Sequence, residues 1–196
     1  MRRCLAAIAL LLGALVSEAS ADGRVALVIG NSTYQNTAIL PNPVNDADDM
    51  AAALKRVGFT VVLERNLNKR GMELAIGQFA RLAQNADAAV FFFAGHGIQH
   101  RGLNYLMPTD ARLEDEFNLH FELTRLDDIL YSLDRARGIK ILILDACRNN
   151  PLAERLVRTT VSRDAGLLRG LARIEPRNPI KLQSMEPVAI VRSRRH

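Results

Sequence analysis

The chain has 196 residues, 48% of them hydrophobic and 24% charged, with two cysteines and a formal net charge of +5. That length suffices for one domain with a sizeable core; the balance of apolar and charged residues excludes a disordered chain, and two cysteines exclude a disulfide scaffold. The positive charge is uneven: from 22 to 151, 14 Lys or Arg face 16 Asp or Glu, whereas from 152 to 196 there are 10 against 4. The basic excess therefore belongs to the C-terminal segment. With no base-reading motif and no aromatic stacking platform beside it, that segment reads as a solvated end, and no nucleic-acid partner is expected.

The first residues form a basic start, Met1-Arg2-Arg3, then an apolar run from Leu5 to Val16, then Ala19-Ser20-Ala21. This is the layout of a secretory signal peptide over 1–21, with the mature chain starting near Asp22. About a dozen apolar residues are too few to span a bilayer comfortably. The expectation is export to a periplasmic or extracellular place, with no transmembrane segment left after cleavage. Cys4 would leave with the leader, making Cys147 the one thiol of the mature chain.

In chain order, Arg24 to Gly30 (RVALVIG) is a short continuous apolar run, the pattern of a strand buried on both faces. Asn42-Pro43 supplies a cap and a first-turn proline. A helical stripe follows through Val44, Met50, Ala51, Leu54 and Val57, closed by Gly58. Phe59 to Leu63 is a second strand. Met72, Ile76, Phe79, Ala80, Leu82 and Ala83 mark a second helix, and Ala88 to Phe93 (AAVFFF) a third buried strand. Leu103 to Met107 reads as a hairpin arm turned at Arg101-Gly102. Leu126, Ile129, Leu130 and Leu133 give a third helix capped by Thr124, and Ile139 to Leu144 (IKILIL) a fourth strand. This alternation predicts an α/β sandwich, helices on both faces of a mainly parallel sheet of about four strands. After Pro151 no convincing periodicity remains, so the domain is placed at 22–158 and a basic tail at 159–196.

Open parallel sheets present chemistry beyond the carboxyl ends of their strands. The third strand runs into Ala94-Gly95-His96-Gly97 and the fourth into Asp145-Ala146-Cys147-Arg148-Asn149-Asn150-Pro151. Adjacent strands lie about 4.8 Å apart, so a His and a Cys just past neighbouring strand ends can meet. An imidazole beside a thiol takes its proton and generates the nucleophilic thiolate. The glycines around His96 predict a sharp turn, with the amides of Gly97 and Cys147 as donors to a developing oxyanion. His96 and His100 are four apart, but zinc pairs of that spacing lie on helices, which a strand and two glycines deny. No metal site is expected. Asp145, two residues before the thiol, would raise its pKa, so a cation-binding task fits it better. Asp46, in the first helical turn, is a possible second acid of that pocket, although Asp46, Asp48 and Asp49 all suit a helix N-terminus.

Val25–Gly30 with Asn31 and Tyr34, Asn45-Asp46-Ala47, FFFAGHG, Asn104-Tyr105-Leu106 with Pro108, and DACRNNP together resemble the bacterial caspase and metacaspase-like peptidases from Arg24 to Pro151. The 51-residue His–Cys separation also suits that family. The resemblance implies a caspase-like three-layer sandwich and a cysteine endopeptidase with His96 and Cys147 as dyad. It implies Gly97 and Cys147 at the oxyanion site, and Asp46 and Asp145 binding a basic residue on the acyl side of the cleaved bond. Protein or peptide substrates cut after Arg or Lys follow, whereas caspases proper prefer Asp. No cofactor is indicated; some metacaspases need calcium, no contiguous calcium loop is present here, and calcium dependence stays open. Gly170 to Pro176 resembles the family's next segment, after which its further strands are not recognisable, leaving the fourth strand as an expected apolar edge. The alternative reading is therefore a truncated, catalytically weak or inactive caspase-like scaffold or binding module. Oligomeric state stays open.

Overall fold

The computed structural model describes residues 23–115 and 117–147, together with two short strands at 167–168 and 189–192. Residues 1–22, which include the expected signal peptide at 1–21, residue 116 and the rest of 148–196 lie outside the described residues.

Five strands run parallel in the order β2 (Thr60–Arg65), β1 (Arg24–Gly30), β3 (Ala88–His100), β6 (Ile139–Cys147), β8 (Ala189–Arg192). An antiparallel arm continues from the far half of β3: β4 (Leu103–Leu106) pairs with it on one side, β7 (Leu167–Leu168) also pairs with it, and β5 (Thr124–Arg125) pairs with β4. Helices α2 (Lys69–Ala83) and α4 (Leu126–Leu133) pack on one face of the sheet, where Met72, Phe79, Ile129 and Leu133 meet Leu27, Ile29, Phe91, Phe93 and Leu142. Helix α1 (Pro43–Arg56) covers the other, setting Ala47 and Ala51 on Ala26, Val28, Val90, Phe92 and Ala94. Each fully buried Phe, Leu or Ile here contributes about 1.5–3 kcal/mol. The result is the expected α/β/α sandwich.

Local chemistry explains the element ends, not always with the expected residues. Helix α1 stops in a Schellman arrangement: the amides of Gly58 and Phe59 donate to the Lys55 and Leu54 carbonyls at 3.1 and 3.0 Å, with Gly58 at φ 85°. At its start Asn42 makes no side-chain cap; instead the Val44 amide donates to Ser32 Oγ at 3.2 Å. Helix α2 has a cap that the apolar pattern did not reveal, Asn68, whose side chain accepts from the Gly71 amide at 2.8 Å. Thr124 does not cap α4 either: it is paired in β5, and Arg125 precedes the helix. A one-turn helix, α3 (Leu119–Glu122), was too short to leave a periodic trace.

The β3–β4 connection matches the expected hairpin. Arg101 and Gly102 both have positive φ, 47° and 79°, which suits the right-handed twist of the two strands they join. Two expectations are corrected. β3 does not end at Phe93 but continues through Gly95, His96 and Gly97 to His100. β6 is not an open edge over Ile141–Leu144, because Ala189–Arg192 pairs with that stretch. A four-residue strand is too brief for hydropathy alone to identify.

Candidate functional site

The site grows out of a change of partners along β3. Up to Ala94 the strand lies between β1 and β6, both parallel; from Gly97 onward it pairs antiparallel with β4. His96 stands between the two regimes, and its Cα partner across the sheet is Cys147, the last residue of β6. Neighbouring strands bring those two backbones within about 5 Å. The two backbones are therefore paired within the sheet rather than beyond the strand ends.

The expected sharp turn is absent. Gly95 is needed for a different reason: a Cβ there would lie 2.5 Å from the Tyr34 hydroxyl and 2.7 Å from Phe93, and its φ is +156°. Glycine permits close approach, and the strand stays extended.

His96 is 1% exposed. Its Nε2 lies 3.0 Å from the Ala38 carbonyl oxygen. A carbonyl can only accept, so in the neutral ring Nε2 carries the hydrogen and Nδ1 the lone pair. Among the described residues, Nδ1 is buried with no hydrogen-bond partner. Burial pushes the imidazole below its ordinary 6.5, opposed in part by the Ala38 carbonyl, and so favours the neutral ring. The Tyr34 hydroxyl accepts from the His96 amide at 2.8 Å, and the two rings lie 4.6 Å apart at 53°.

The two acids fall on the same side of the sheet. Alternation along β3 and β6 sets His96 beyond Val90, Phe92 and Ala94, and Asp145 beyond Ile141 and Ile143, all on the face covered by α1. Asp46 is in the first turn of α1. That turn rests on Gly30, where a Cβ would meet the Pro43 carbonyl oxygen at 2.4 Å. Gly30, Ala94 and Asp145 form one row across β1, β3 and β6, so Asp145 lies two strands, about 10 Å, along the row from the foot of α1.

The His96 amide faces Tyr34 and its carbonyl accepts from Met107 at 3.0 Å, on the β1 and β4 side. By alternation the Gly97 amide turns to the β6 side, beside the Cys147 backbone. His100 lies at the end of the same strand, roughly 13 Å from His96 at extended spacing, too far for one metal. Among the described residues no three His, Cys, Asp or Glu side chains gather as metal ligands.

Two contacts escaped the sequence pattern. Ala38 acts through its backbone carbonyl, which leaves no side-chain signature. Asn31 is fully buried and braces the end of β1: its Oδ1 accepts from the Leu67 amide at 2.9 Å and its Nδ2 donates to the Met107 carbonyl at 3.1 Å.

Residues 23–188 match the caspase domain family. Human mucosa-associated lymphoid tissue lymphoma translocation protein 1 is 27% identical over 128 residues, 65% of this chain and 15% of that protein. Mouse caspase-12 is 30% identical over 142 residues, 68% of this chain and 32% of that protein. The chain thus spans a third or less of the length of these relatives. Among solved structures, a Geobacter sulfurreducens protein superposes with a TM-score of 0.51 at 20% identity, over 63% of this chain and 50% of that one. The Drosophila initiator caspase Dronc superposes with a TM-score of 0.50 at 14% identity, over 63% of this chain and 48% of that one. At such identities the superpositions speak to the fold.

Proposed function

We propose a function from one premise: this chain belongs to the caspase domain family. Its homology to caspases supports a cysteine peptidase at the level of the clan. Our reading is an endopeptidase with Cys147 as nucleophile and His96 as general base, and the observation that carries it is the pairing of these two residues as the last partners of β3 and β6.

In this reading His96 Nδ1 takes the thiol proton while Nε2–H stays on the Ala38 carbonyl. The thiolate attacks the peptide carbonyl carbon, and the proton on Nδ1 passes to the leaving amine. The acyl-enzyme is then cleaved by a water that Nδ1 deprotonates. The amides of Gly97 and Cys147 are the proposed donors to the oxyanion. Strand pairing that reaches His96 and Cys147 engages backbone groups at this point, so this role requires the last pair to part when the substrate carbonyl arrives.

Asp46 and Asp145 are the proposed seat of a basic side chain preceding the cleaved bond. A buried ammonium or guanidinium needs a counter-charge, and both acids belong to the α1 side that His96 shares. Protein or peptide substrates cut after Arg or Lys are the consequence. Export by a cleaved leader over 1–21 completes the proposal; among the described residues no helix is long and apolar enough to cross a membrane.

The test offers fluorogenic peptides ending in Arg, Lys or Asp to the purified chain, with Cys147→Ala alongside. Turnover after Arg or Lys that disappears in the variant is the expected result. Turnover after Asp would overturn the specificity. No turnover, with no labelling of Cys147 by an electrophilic arginyl peptide, would favour a binding module instead.

A further inference from the structure

We propose that Tyr34 is a positioning residue for His96, holding its backbone and its ring so that one edge meets the Ala38 carbonyl and the other is presented for proton transfer. The inference rests on the reading of His96 as the base. A single loop between β1 and α1 touches His96 at both ends: the Tyr34 hydroxyl on its amide, the Tyr34 ring against its imidazole, and the Ala38 carbonyl on Nε2.

The grip is rigid because both its parts are anchored. Tyr34 is 6% exposed and packs with Ile98, Tyr105 and Met107 in a small core on the arm side of the molecule. The loop beyond it is tied down by its backbone and by Asn36: the Gln35 amide donates to the Thr109 carbonyl at 2.8 Å, and the Asn36 side chain donates to the carbonyls of Asp110 and Ala111 at 3.1 and 3.2 Å. The Leu40 amide donates to the Ser32 carbonyl at 3.0 Å, closing the loop on itself. Gly95 completes the device, since any side chain there would collide with the Tyr34 hydroxyl. An imidazole otherwise turns about its last torsion with little preference, and a half turn would exchange the nitrogen on Ala38 for a carbon.

Full-length chains carrying Tyr34→Phe and Tyr34→Leu test this, each also in a Cys147→Ala background for nitrogen NMR of His96. The parent should show one neutral tautomer, protonated at Nε2; Tyr34→Leu should show a mixture of tautomers. In the active background Tyr34→Leu should lower kcat by roughly 10- to 100-fold, with KM within about twofold of the parent. Tyr34→Phe keeps the ring, so the parental tautomer should persist while the unpaired His96 amide exchanges roughly 10- to 100-fold faster. A single Nε2–H tautomer in folded Tyr34→Leu, or parental protection of the His96 amide in Tyr34→Phe, would overturn the proposal. Should Tyr34→Leu fail to fold, the exchange measurement on Tyr34→Phe decides. Should the parent cleave no peptide, the peptidase reading falls while the tautomer and exchange results still judge Tyr34.

Discussion

The two halves of β3 perform different tasks with one continuous backbone. Ala88 to Phe93 is apolar, buried, and flanked on both sides by parallel strands; it is the middle of the core. Ala94 to His100 is equally extended but carries two glycines, two histidines and a glutamine, and it trades parallel neighbours for antiparallel ones. A side chain lost from the first half removes hydrophobic stabilisation; one lost from the second removes a positioned group while most of the core stays intact. In the proposed reading, chemistry is mounted at the point where the apolar half ends.

Substitutions can break or sharpen that division. The largest expected effect is on turnover: Cys147→Ala, opposite His96 at the junction, should lower kcat by about 1,000-fold or more with little change in the unfolding midpoint. Phe91→Ala should do the reverse. Phe91 is fully buried against Phe79, and its truncation should destabilise the fold by about 3–5 kcal/mol in chemical denaturation, leaving kcat per folded molecule nearly intact.

Asp145→Asn should reduce kcat/KM for peptides ending in Arg or Lys by roughly 30-fold or more, the scale of stranding a buried charge without its partner. Stability should change little, and peptides ending in Asp should gain relative to them. Gly95→Ala crosses the boundary. Overpacking against Tyr34 and Phe93 should cost about 1–3 kcal/mol and lower kcat as well, because the backbone carrying His96 must shift.

The smallest effect is in pH. Burial holds the His96 imidazole below 6.5 in the folded chain, so the acid limb of kcat should lie under the usual imidazole range. The unfolded chain takes up this proton first as pH falls. The stability that depends on a neutral His96 is therefore whole above 6.5 and is lost as pH drops toward the lower folded value. A His96→Phe variant should lose that slope in pH-dependent denaturation; an unchanged slope would assign it to other groups.

Hydropathy and turn chemistry alone identified the four long strands, the three main helices and the Arg101-Gly102 hairpin, because continuous apolar runs and helical stripes are local properties. The same local signals singled out His96 and Cys147 as candidates by residue type and by the apolar runs that precede them. They could not show that β3 runs on through both glycines, since glycine permits either a turn or extension. Nor could they reveal the Ser32 oxygen at the start of α1, a strand of four residues beside β6, or the Ala38 carbonyl on Nε2. Those depend on which distant segments arrive together. Residue types along the chain determined what chemistry could exist here; register across the sheet decided which backbone pairs with His96, because one rung more or less between β3 and β6 would set a different residue opposite it.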